Sequence, residues 1–226
     1  MKIAIFGAAG DVGKRIMNEA LARGHNVTGV VRTESQLNKL PAEASRCVAD
    51  IADSHQLAHV IQGQDVLISA VRPPDGKEAT LVALTRSLMA SALPGQRVLL
   101  VGGAARLLIP GRAGDTVLTA PDFLPASALE IAKACQAQYE LCLGETSTAW
   151  TYFSPAAMLM PGERTGRYRL GTDTLVVDNN GESRISMEDF AVAMLDEAET
   201  PQHIQKAFTV GYYKNRQTTP SSNLKK

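Results

Sequence analysis

The sequence predicts an α/β protein with a doubly wound parallel sheet and a small C-terminal lobe. Three observations support this fold class. A glycine-rich stretch, GAAGDVG at residues 7–13, follows a short apolar run, strand-like and helix-like segments alternate as far as residue 101, and the predicted strands are apolar at successive positions. Strands that are apolar on both faces are typical of parallel sheets covered by helices on each side.

The first half of the chain reads as repeated strand and helix units. Hydrophobic periodicity and glycine stops place each element. The predicted strands are Lys2–Phe6, Asn26–Val31, Arg46–Ala49, Asp65–Ala70 and Arg97–Val101, and the predicted helices are Val12–Arg23, Ser54–Gln62 and Lys77–Leu93. Because a helix separates each strand from the next, the strands are expected to pair in parallel.

The second half is less regular. A loop rich in Gly and Pro, at residues 102–125, precedes a predicted helix at residues 126–143, and Ala149–Ser154 is a strand that ends at Pro155. No linker or shift in composition divides the chain. Residues 1–226 are therefore predicted as one domain, in which residues 155–186 form the small lobe.

The predicted lobe contains a turn signal. The residues DNNG, Asp178–Gly181, separate the strand-like segments Thr174–Val177 and Ser183–Ile185, and this arrangement predicts a hairpin. Ser186, followed three residues later by Asp189, resembles a capping box that begins a helix ending near residue 197. A last strand at residues 207–210 and a frayed tail, TTPSSNLKK, complete the predicted order of elements.

Composition argues against several classes of function. Lys and Arg number 23 and Asp and Glu number 23, so there is no basic surplus to attract nucleic acid or an anionic membrane. No stretch approaches the roughly 18 apolar residues of a membrane span, and no signal peptide precedes the first strand. Cys47, Cys135 and Cys142 are widely spaced, which predicts reduced thiols and no metal site. We expect a cytoplasmic monomer or homodimer whose partner is a small molecule.

The spacing GxxGxxG predicts a phosphate-binding loop. The first glycine permits a sharp turn out of the strand, the second lets the backbone approach a pyrophosphate, and the third lets the helix pack closely. The amides and dipole of the helix N-terminus then face the anion. A tight turn without a ligand is the alternative, but the flanking strand and helix favour nucleotide binding. The predicted contacts are Gly7, Ala9, Gly10, Asp11, Val12 and Gly13.

The end of the second strand bears on the choice of cofactor. Dinucleotide sites often carry an acid there, about 20 residues after the loop, which binds the ribose hydroxyls. This chain reads GVVR, and the Arg32 guanidinium is suited to pair with a 2′-phosphate. NADP(H) is therefore preferred over NAD(H), with a solvated strand end as the alternative for Arg32. Asp50 and Ile51 end the third strand, where they are expected either to contact the adenine or, for Asp50, to cap the next helix.

The motifs GAAGDVG, VVR, VADI and SAV, in this order, resemble those of atypical short-chain dehydrogenases/reductases. The run SPAAMLMPGERTGRYRLGTDTLVVDNNGESRISMEDF is similar to the NAD(P)H-binding, NADH-flavin reductase branch, which is related to NmrA-like and biliverdin reductase B-like proteins. The resemblance covers essentially the whole chain. It implies a Rossmann-type sheet of seven strands, with the nicotinamide over the carboxyl ends of strands four to six. It therefore implies that Ala70, Val71, Gly102 and Pro155 contact the cofactor.

The chain departs from this superfamily where carbonyl reduction is concerned. The resemblance implies a YxxxK pair on the helix after strand five, in which the tyrosine supplies a proton and the lysine lowers its pKa. Here Tyr139 is followed by Leu143 at the lysine position, and Ala104 and Ala105 offer no hydroxyl after strand five. Tyr139 is predicted to pack rather than to act as an acid, and no catalytic residue is assigned.

Flavins and quinones accept hydride and take their proton from water, so they need no such pair. The sequence therefore predicts an NADPH-dependent oxidoreductase that stacks a planar acceptor on the nicotinamide. In the lobe, Met158, Leu159 and Met160 are predicted to form an apolar wall beside the acceptor, with a buried connection as the alternative. Three cations of the lobe are expected either to meet a flavin phosphate or acidic substrate, or to form a solvated face: Arg164, Arg167 and Arg169.

Two other functions are open to the same fold. An NmrA-like regulatory protein binds NADP(H) without turnover, and the missing acid–base pair favours that alternative. A sugar epimerase or dehydratase is disfavoured, because its chemistry requires the tyrosine base and a larger substrate lobe.

Overall fold

The computed structural model describes residues 1–213, which form one large sheet with helices on both faces and a second, two-stranded sheet. The strands are β1 (Lys2–Phe6), β2 (Asn26–Val31), β3 (Ser45–Val48), β4 (Val66–Ser69), β5 (Arg97–Val101), β6 (Ala149–Ser154), β7 (Met158–Met160), β8 (Arg169–Gly171), β9 (Arg184–Ser186) and β10 (Lys206–Gly211). The helices are α1 (Asp11–Ala22), α2 (Ser54–Ile61), α3 (Thr80–Ser91), α4 (Leu129–Leu143) and α5 (Met187–Glu199), with short 3-10 helices at Glu34–Lys39 and Ala126–Ala128.

The main sheet confirms the predicted Rossmann-type doubly wound fold. Its strands lie in the order β3-β2-β1-β4-β5-β6-β10-β8. The first seven of these are parallel, as the family resemblance implies, and β8 adds an antiparallel edge strand beside β10. The chain order reverses between β1 and β4. In open α/β sheets such a reversal leaves a crevice at the carboxyl ends of the strands, where ligands bind.

Alternating side chains of the strands build a core on each face of the sheet. Along β1, Ile3 and Ile5 pack with α1 and α5, whereas Ala4 and Phe6 pack with α2 and α3. On the α5 side, the Phe153 ring stacks between two other rings, with centroid distances of 4.2 Å to Phe190 and 4.1 Å to Phe208. This double burial explains why the strands read as continuous apolar runs.

Most predicted elements lie where the sequence places them. The bounds of β1, β2, β5 and β6 agree with prediction, and the helices differ from it by a few residues at their ends. The capping of α5 is also confirmed, because the Ser186 hydroxyl accepts a hydrogen bond from the Asp189 amide at 3.0 Å. The predicted frayed tail, residues 218–226, lies outside the described residues.

The predicted hairpin in the lobe is wrong, although its turn is right. Gly181 has a φ of +80°, and the Asp178 amide donates to the Glu182 carbonyl at 2.9 Å. The flanking strands do not pair, however. Residues 174–177 make only a single bridge, to Leu108, and β9 instead pairs in parallel with β7. The reason is burial: the apolar residues before the turn pack on the loop that follows β5 rather than on β9.

The loop after β5 is part of the lobe that covers the sheet. Leu107, Val117 and Leu175 form a small apolar cluster of their own, which joins residues 104–125 to the segment before the DNNG turn. The Leu108 amide donates to the Asp173 carbonyl at 2.8 Å, and the Leu175 amide donates back to Leu108 at 2.9 Å. The lobe predicted at residues 155–186 therefore includes a second segment that the sequence presents only as a loop.

Three features of residues 1–213 bear on function. None of the helices in this range is long and apolar enough to cross a membrane. Over the same residues, no group of three His, Cys, Asp or Glu side chains is placed to hold a metal ion. Cys47, Cys135 and Cys142 are free thiols.

Candidate functional site

A cleft of about 1050 Å³ runs along the carboxyl ends of the parallel strands. It begins at the loop after β1, crosses the ends of β2, β4 and β5, and extends under the lobe. All but one of the residues predicted to contact the cofactor line it: Gly7, Ala9, Gly10, Asp11, Val12, Arg32, Asp50, Ile51, Ala70, Val71, Gly102 and Pro155. The exception is Gly13.

The glycines of the first loop keep its backbone close to its neighbours. Gly7 has a φ of +76°, and a Cβ placed there would lie 2.6 Å from the Ala70 carbonyl oxygen. A Cβ on Gly13 would lie only 2.2 Å from the Gly7 carbonyl oxygen, so Gly13 lies beneath the loop and lets α1 pack against it. Both contacts are far below ordinary van der Waals distance, and only glycine satisfies them.

Gly10 is the N-cap of α1 and provides no side chain to cap it. The first amides of a helix have no partner within the helix, and Asp11 and Val12, which carry two of them, line the cleft. This bare helix N-terminus fits a pyrophosphate, because the amides and the helix dipole favour an anion. The glycine loop is therefore suited to hold the phosphates of a dinucleotide.

The far end of the cleft, beyond β2 and β3, is suited to an adenosine. Arg32 is exposed at the end of β2, and its backbone amide donates to the Gln36 side chain at 3.2 Å. The helix-capping alternative for Asp50 is wrong: Asp53 caps α2 by accepting from the first helical amides, whereas Asp50 accepts from the Ala52 amide at 2.9 Å. Ile51 is buried in the cleft wall and offers an apolar surface.

The opposite end of the cleft is an apolar chamber under the lobe. Three separate parts of the chain supply its walls. The lining residues in this part are Val117 and Leu124 from the loop after β5, Ala128, Ile131, Ala132 and Cys135 from the start of α4 and the turn before it, and Ala156, Ala157 and Leu159 after β6. The polar share of this wall is small, which suits a planar apolar ligand.

The predicted methionine wall is only partly present. Leu159 lines the cleft, but Met158 and Met160 do not, and their side chains are 44% and 55% exposed. These residues form β7, which pairs with β9, and successive side chains of a strand point to opposite faces. With Leu159 directed inward, its two neighbours are directed to solvent.

The sequence prediction misses several residues that line the cleft. They include Val117 and Leu124 in the chamber, and Arg72 and Lys77 in the loop after β4. The first two lie in an irregular segment without periodicity, so no strand or helix pattern marks their inward direction. The sequence carries one signal of burial here, because the segment LLIP at residues 107–110 is too apolar for a fully solvated loop.

The three lobe arginines do not serve the cleft. Arg164 pairs with Glu19 of α1, with its Nε 2.7 Å from one carboxylate oxygen, and this contact holds the lobe against the helix. The pairing with Arg164 lowers the pKa of Glu19, although burial opposes it. Arg167 and Arg169 are exposed and do not line the cleft either. Of the two alternatives for these side chains, the structure favours the solvated face for Arg167 and Arg169, and it places Arg164 in an ion pair.

No tyrosine or histidine is among the described residues that line the cleft. The Tyr139 ring packs 5.3 Å from that of Tyr152, with the Arg106 guanidinium 4.8 Å from its centroid. Tyr152 is fully buried, donates to the Cys135 carbonyl at 2.8 Å and accepts from the Gly103 amide at 3.1 Å. Burial raises the pKa of Tyr152 well above its usual value, and both tyrosines are structural.

The thiol of Cys135 lines the chamber wall on α4. Burial raises its pKa to about 11, although the positive charge of Arg72 acts in the opposite direction. At neutral pH the thiol is therefore protonated, and a protonated thiol is a poor nucleophile. Cys135 is therefore suited to an apolar wall and not to covalent catalysis.

Comparisons with known proteins agree with this geometry. The model of a family described as NAD(P)H-binding matches residues 7–198. The chain is 34% identical over 213 residues to the uncharacterized protein YwnB of Bacillus subtilis, a match that covers 93% of this chain and 98% of that protein.

Two solved structures share the fold closely. One, a "putative epimerase" from Bacteroides thetaiotaomicron, is 37% identical, with a TM-score of 0.84 over 95% of this chain and 98% of the other. The second, a "putative NADH-flavin reductase" from Streptococcus pneumoniae, is 29% identical, with a TM-score of 0.83 over 94% of this chain and 99% of the other.

Proposed function

Because the chain belongs to the NAD(P)H-binding family, we propose that it is an NADPH-dependent oxidoreductase that transfers hydride to a planar acceptor such as a flavin or a quinone. One observation carries this proposal. A single cleft joins a phosphate loop of bare backbone to an apolar chamber, and the described residues that line it include no tyrosine or histidine. Acid-assisted carbonyl reduction needs a positioned proton donor, whereas hydride transfer to a flavin or quinone needs only close stacking.

Each part of the cleft has a role in this proposal. The loop from Gly7 to Val12 holds the pyrophosphate, and Ile51 covers the adenine. The strand ends at Ala70, Gly102 and Pro155 support the nicotinamide. The chamber side chains hold the acceptor and keep water from the space between the two rings.

When bound, NADPH supplies a hydride, and the oxidised acceptor takes one further proton from water, which leaves NADP⁺ and the dihydro acceptor. The protein's contribution is position and exclusion of solvent. Leu159 follows β6 and Ile131 belongs to α4, and the acceptor ring is assigned to the space that both side chains line. The protonated Cys135 thiol adds no charge to this surface.

The preference for NADPH over NADH rests on Arg32. This side chain is exposed at the adenosine end of the cleft and free to turn toward a ribose phosphate. Within residues 1–213, the acids that line the cleft are Asp11 and Asp50, which follow β1 and β3 rather than β2. A carboxylate at the end of β2 would instead repel a 2′-phosphate and favour NADH.

The test mixes purified protein with NADPH and a panel of flavins, quinones and aldehydes, and follows absorbance at the nicotinamide band. We expect oxidation of NADPH with at least one flavin or quinone and none with aldehydes. Tight NADPH binding without turnover on any acceptor would favour the alternative of an NmrA-like sensor. Turnover with aldehydes alone would contradict the proposal, because it would require a proton donor in the cleft.

A cytoplasmic location and a monomeric or homodimeric state belong to the same proposal. A reductase that consumes NADPH depends on a compartment that regenerates it, and the zero net charge offers no attraction to nucleic acid or membranes. Cell fractionation tests the location, and light scattering on the purified protein tests the oligomeric state.

A further inference from the structure

The charged residues that line the cleft are distributed unevenly. Asp11, Arg32 and Asp50 border the part assigned to the phosphates and adenosine, where acids and a base are mixed. Arg72 and Lys77 border the chamber, and no acid of residues 1–213 lines that part. The charged residues of this range that line the chamber part of the cleft are therefore both cations, although Asp75, which does not line it, lies near Arg72.

The loop between β4 and α3 holds these two cations in place. Pro73 and Pro74 restrict its backbone, and the Lys77 amide donates to the Pro74 carbonyl at 3.0 Å. The Thr80 hydroxyl donates to the Lys77 carbonyl at 2.7 Å, which joins the loop to the start of α3. The backbone is therefore ordered although the cationic side chains are exposed.

The position of this loop places the cations beside the acceptor rather than the adenosine. Leu81, at the start of α3, packs on Ala134 and Cys135 of α4, the helix that forms one wall of the chamber. The later part of α3 lies beside the adenosine end, since the Ser87 hydroxyl donates to the Ile51 carbonyl at 2.7 Å. The loop before α3 is consequently at the chamber end of that helix.

Among residues 1–213, the Arg72 guanidinium has no strong partner. Its Nη2 lies 4.0 Å from an Asp75 carboxylate oxygen, the side chain is 64% exposed, and Asp75 is 95% exposed. An exposed pair at this distance contributes little, so the guanidinium is free to turn toward a ligand.

We propose that Arg72 and Lys77 form an anion subsite at the mouth of the chamber, and that the acceptor carries a phosphate or carboxylate on a tail attached to its planar ring. This inference rests on the proposed function and narrows its substrate class. The ring lies against the apolar walls, and the tail leaves the chamber between the two cations. A guanidinium and an ammonium together suit an oxyanion.

The test compares ligands that differ only in the tail. FMN and riboflavin share one ring system, and only FMN carries a phosphate. Binding of each to protein saturated with NADP⁺ is measured by quenching of flavin fluorescence. A carboxylated naphthoquinone and its uncharged parent, measured by calorimetry, give the same comparison for a carboxylate.

We expect FMN to bind about tenfold more tightly than riboflavin, a factor typical of two partly exposed charge-assisted contacts. The double variant Arg72→Ala, Lys77→Ala should lower FMN affinity to that of riboflavin and leave riboflavin binding unchanged. Arg86→Ala, which removes an exposed cation of α3 outside the cleft, is the matched control and should change neither.

Three results would overturn the subsite: no preference for the charged ligand in either pair, no binding of any of the four ligands, or an equal loss of both members of a pair in the double variant. A loss of NADPH affinity by the same factor as FMN would reassign the two cations to the cofactor. If FMN binds with the expected preference but NADPH is not oxidised, the result contradicts the proposed reductase function and leaves the anion subsite intact.

Discussion

Substitutions at two glycines of the phosphate loop, Gly10 and Gly13, are expected to impair different properties of the protein. A Cβ on Gly13 would lie 2.2 Å from the Gly7 carbonyl oxygen, a backbone atom that already accepts a hydrogen bond from the Gly10 amide at 3.0 Å. A Cβ on Gly10 would meet the same oxygen at 3.2 Å, and the φ of −77° at Gly10 is open to any residue. Gly13→Ala should therefore damage the fold, and Gly10→Val should damage the site alone.

The magnitudes follow from these distances. Forcing a methyl group into a packed site costs up to about 3 kcal/mol, and alanine recovers about 1 kcal/mol of helix propensity relative to glycine, so Gly13→Ala should lose about 2 kcal/mol of stability. For a chain of this size, that loss lowers Tm by about 4–8 °C. Gly10→Val places its methyl groups where the pyrophosphate would lie, and should weaken NADPH by at least about 100-fold, or about 2.7 kcal/mol.

Thermal unfolding without ligand and NADPH calorimetry on both variants make the comparison. The expected pattern is a lower Tm for Gly13→Ala, and a near-normal Tm with lost binding for Gly10→Val. If Gly10→Val binds NADPH like the wild type, the loop is a structural turn and not a phosphate cradle. An unchanged Tm for Gly13→Ala would show that α1 does not rest on the loop as described.

Three further substitutions test the rest of the cleft. Arg32→Ala should weaken NADPH binding about tenfold, because the hydrogen bond of an exposed guanidinium lies at the low end of the range for charged groups. Calorimetry should show nearly unchanged NADH binding. An equal loss of affinity for both cofactors would contradict a contact with the 2′-phosphate. Leu159→Glu should abolish acceptor reduction while NADPH still binds, and Met158→Glu, on the solvent face of the same strand, should have little effect in the same steady-state assay. Tyr139→Phe should stay within a few-fold of wild-type activity, whereas loss of a general acid costs about 10²- to 10⁴-fold.

The sequence predicts the parallel sheet well because its signals are local. The buried strands are apolar runs bounded by Gly and polar residues, and the Ser186 cap begins α5 where the motif indicates. The lobe is predicted poorly, because contacts distant in sequence determine it. Strand β7 pairs with β9, 26 residues later, a partner that no local pattern identifies.

The two parts of the candidate site also differ in how well the sequence predicts them. The predicted cofactor residues come from the glycine motif, from the ends of the second and third strands and, for Ala70, Val71, Gly102 and Pro155, from the family resemblance. Twelve of the thirteen line the cleft, because the carboxyl ends of parallel strands share one edge of a sheet. The prediction of the acceptor residues depends on interpreting the segment PAAMLMP as a continuous apolar wall. An apolar run does not reveal that alternate side chains of a strand point away from the cleft, which is why Met158 and Met160 lie outside it.

The two halves of the cleft are also held by different interactions. The phosphate loop depends on contacts within the first 70 residues, chiefly those of Gly7 with Ala70 and of Gly13 with Gly7. The chamber depends on Arg106, whose side chain is 5% exposed and donates to the Ser154 hydroxyl at 3.1 Å, the Asp173 carboxylate at 2.6 Å and a neighbouring backbone carbonyl. This one guanidinium joins the loop after β5 to β6 and to the segment before the DNNG turn. The contacts that form the chamber lie outside the phosphate loop. Substitutions in the chamber can therefore change the shape of the acceptor site without changing how the cofactor is held.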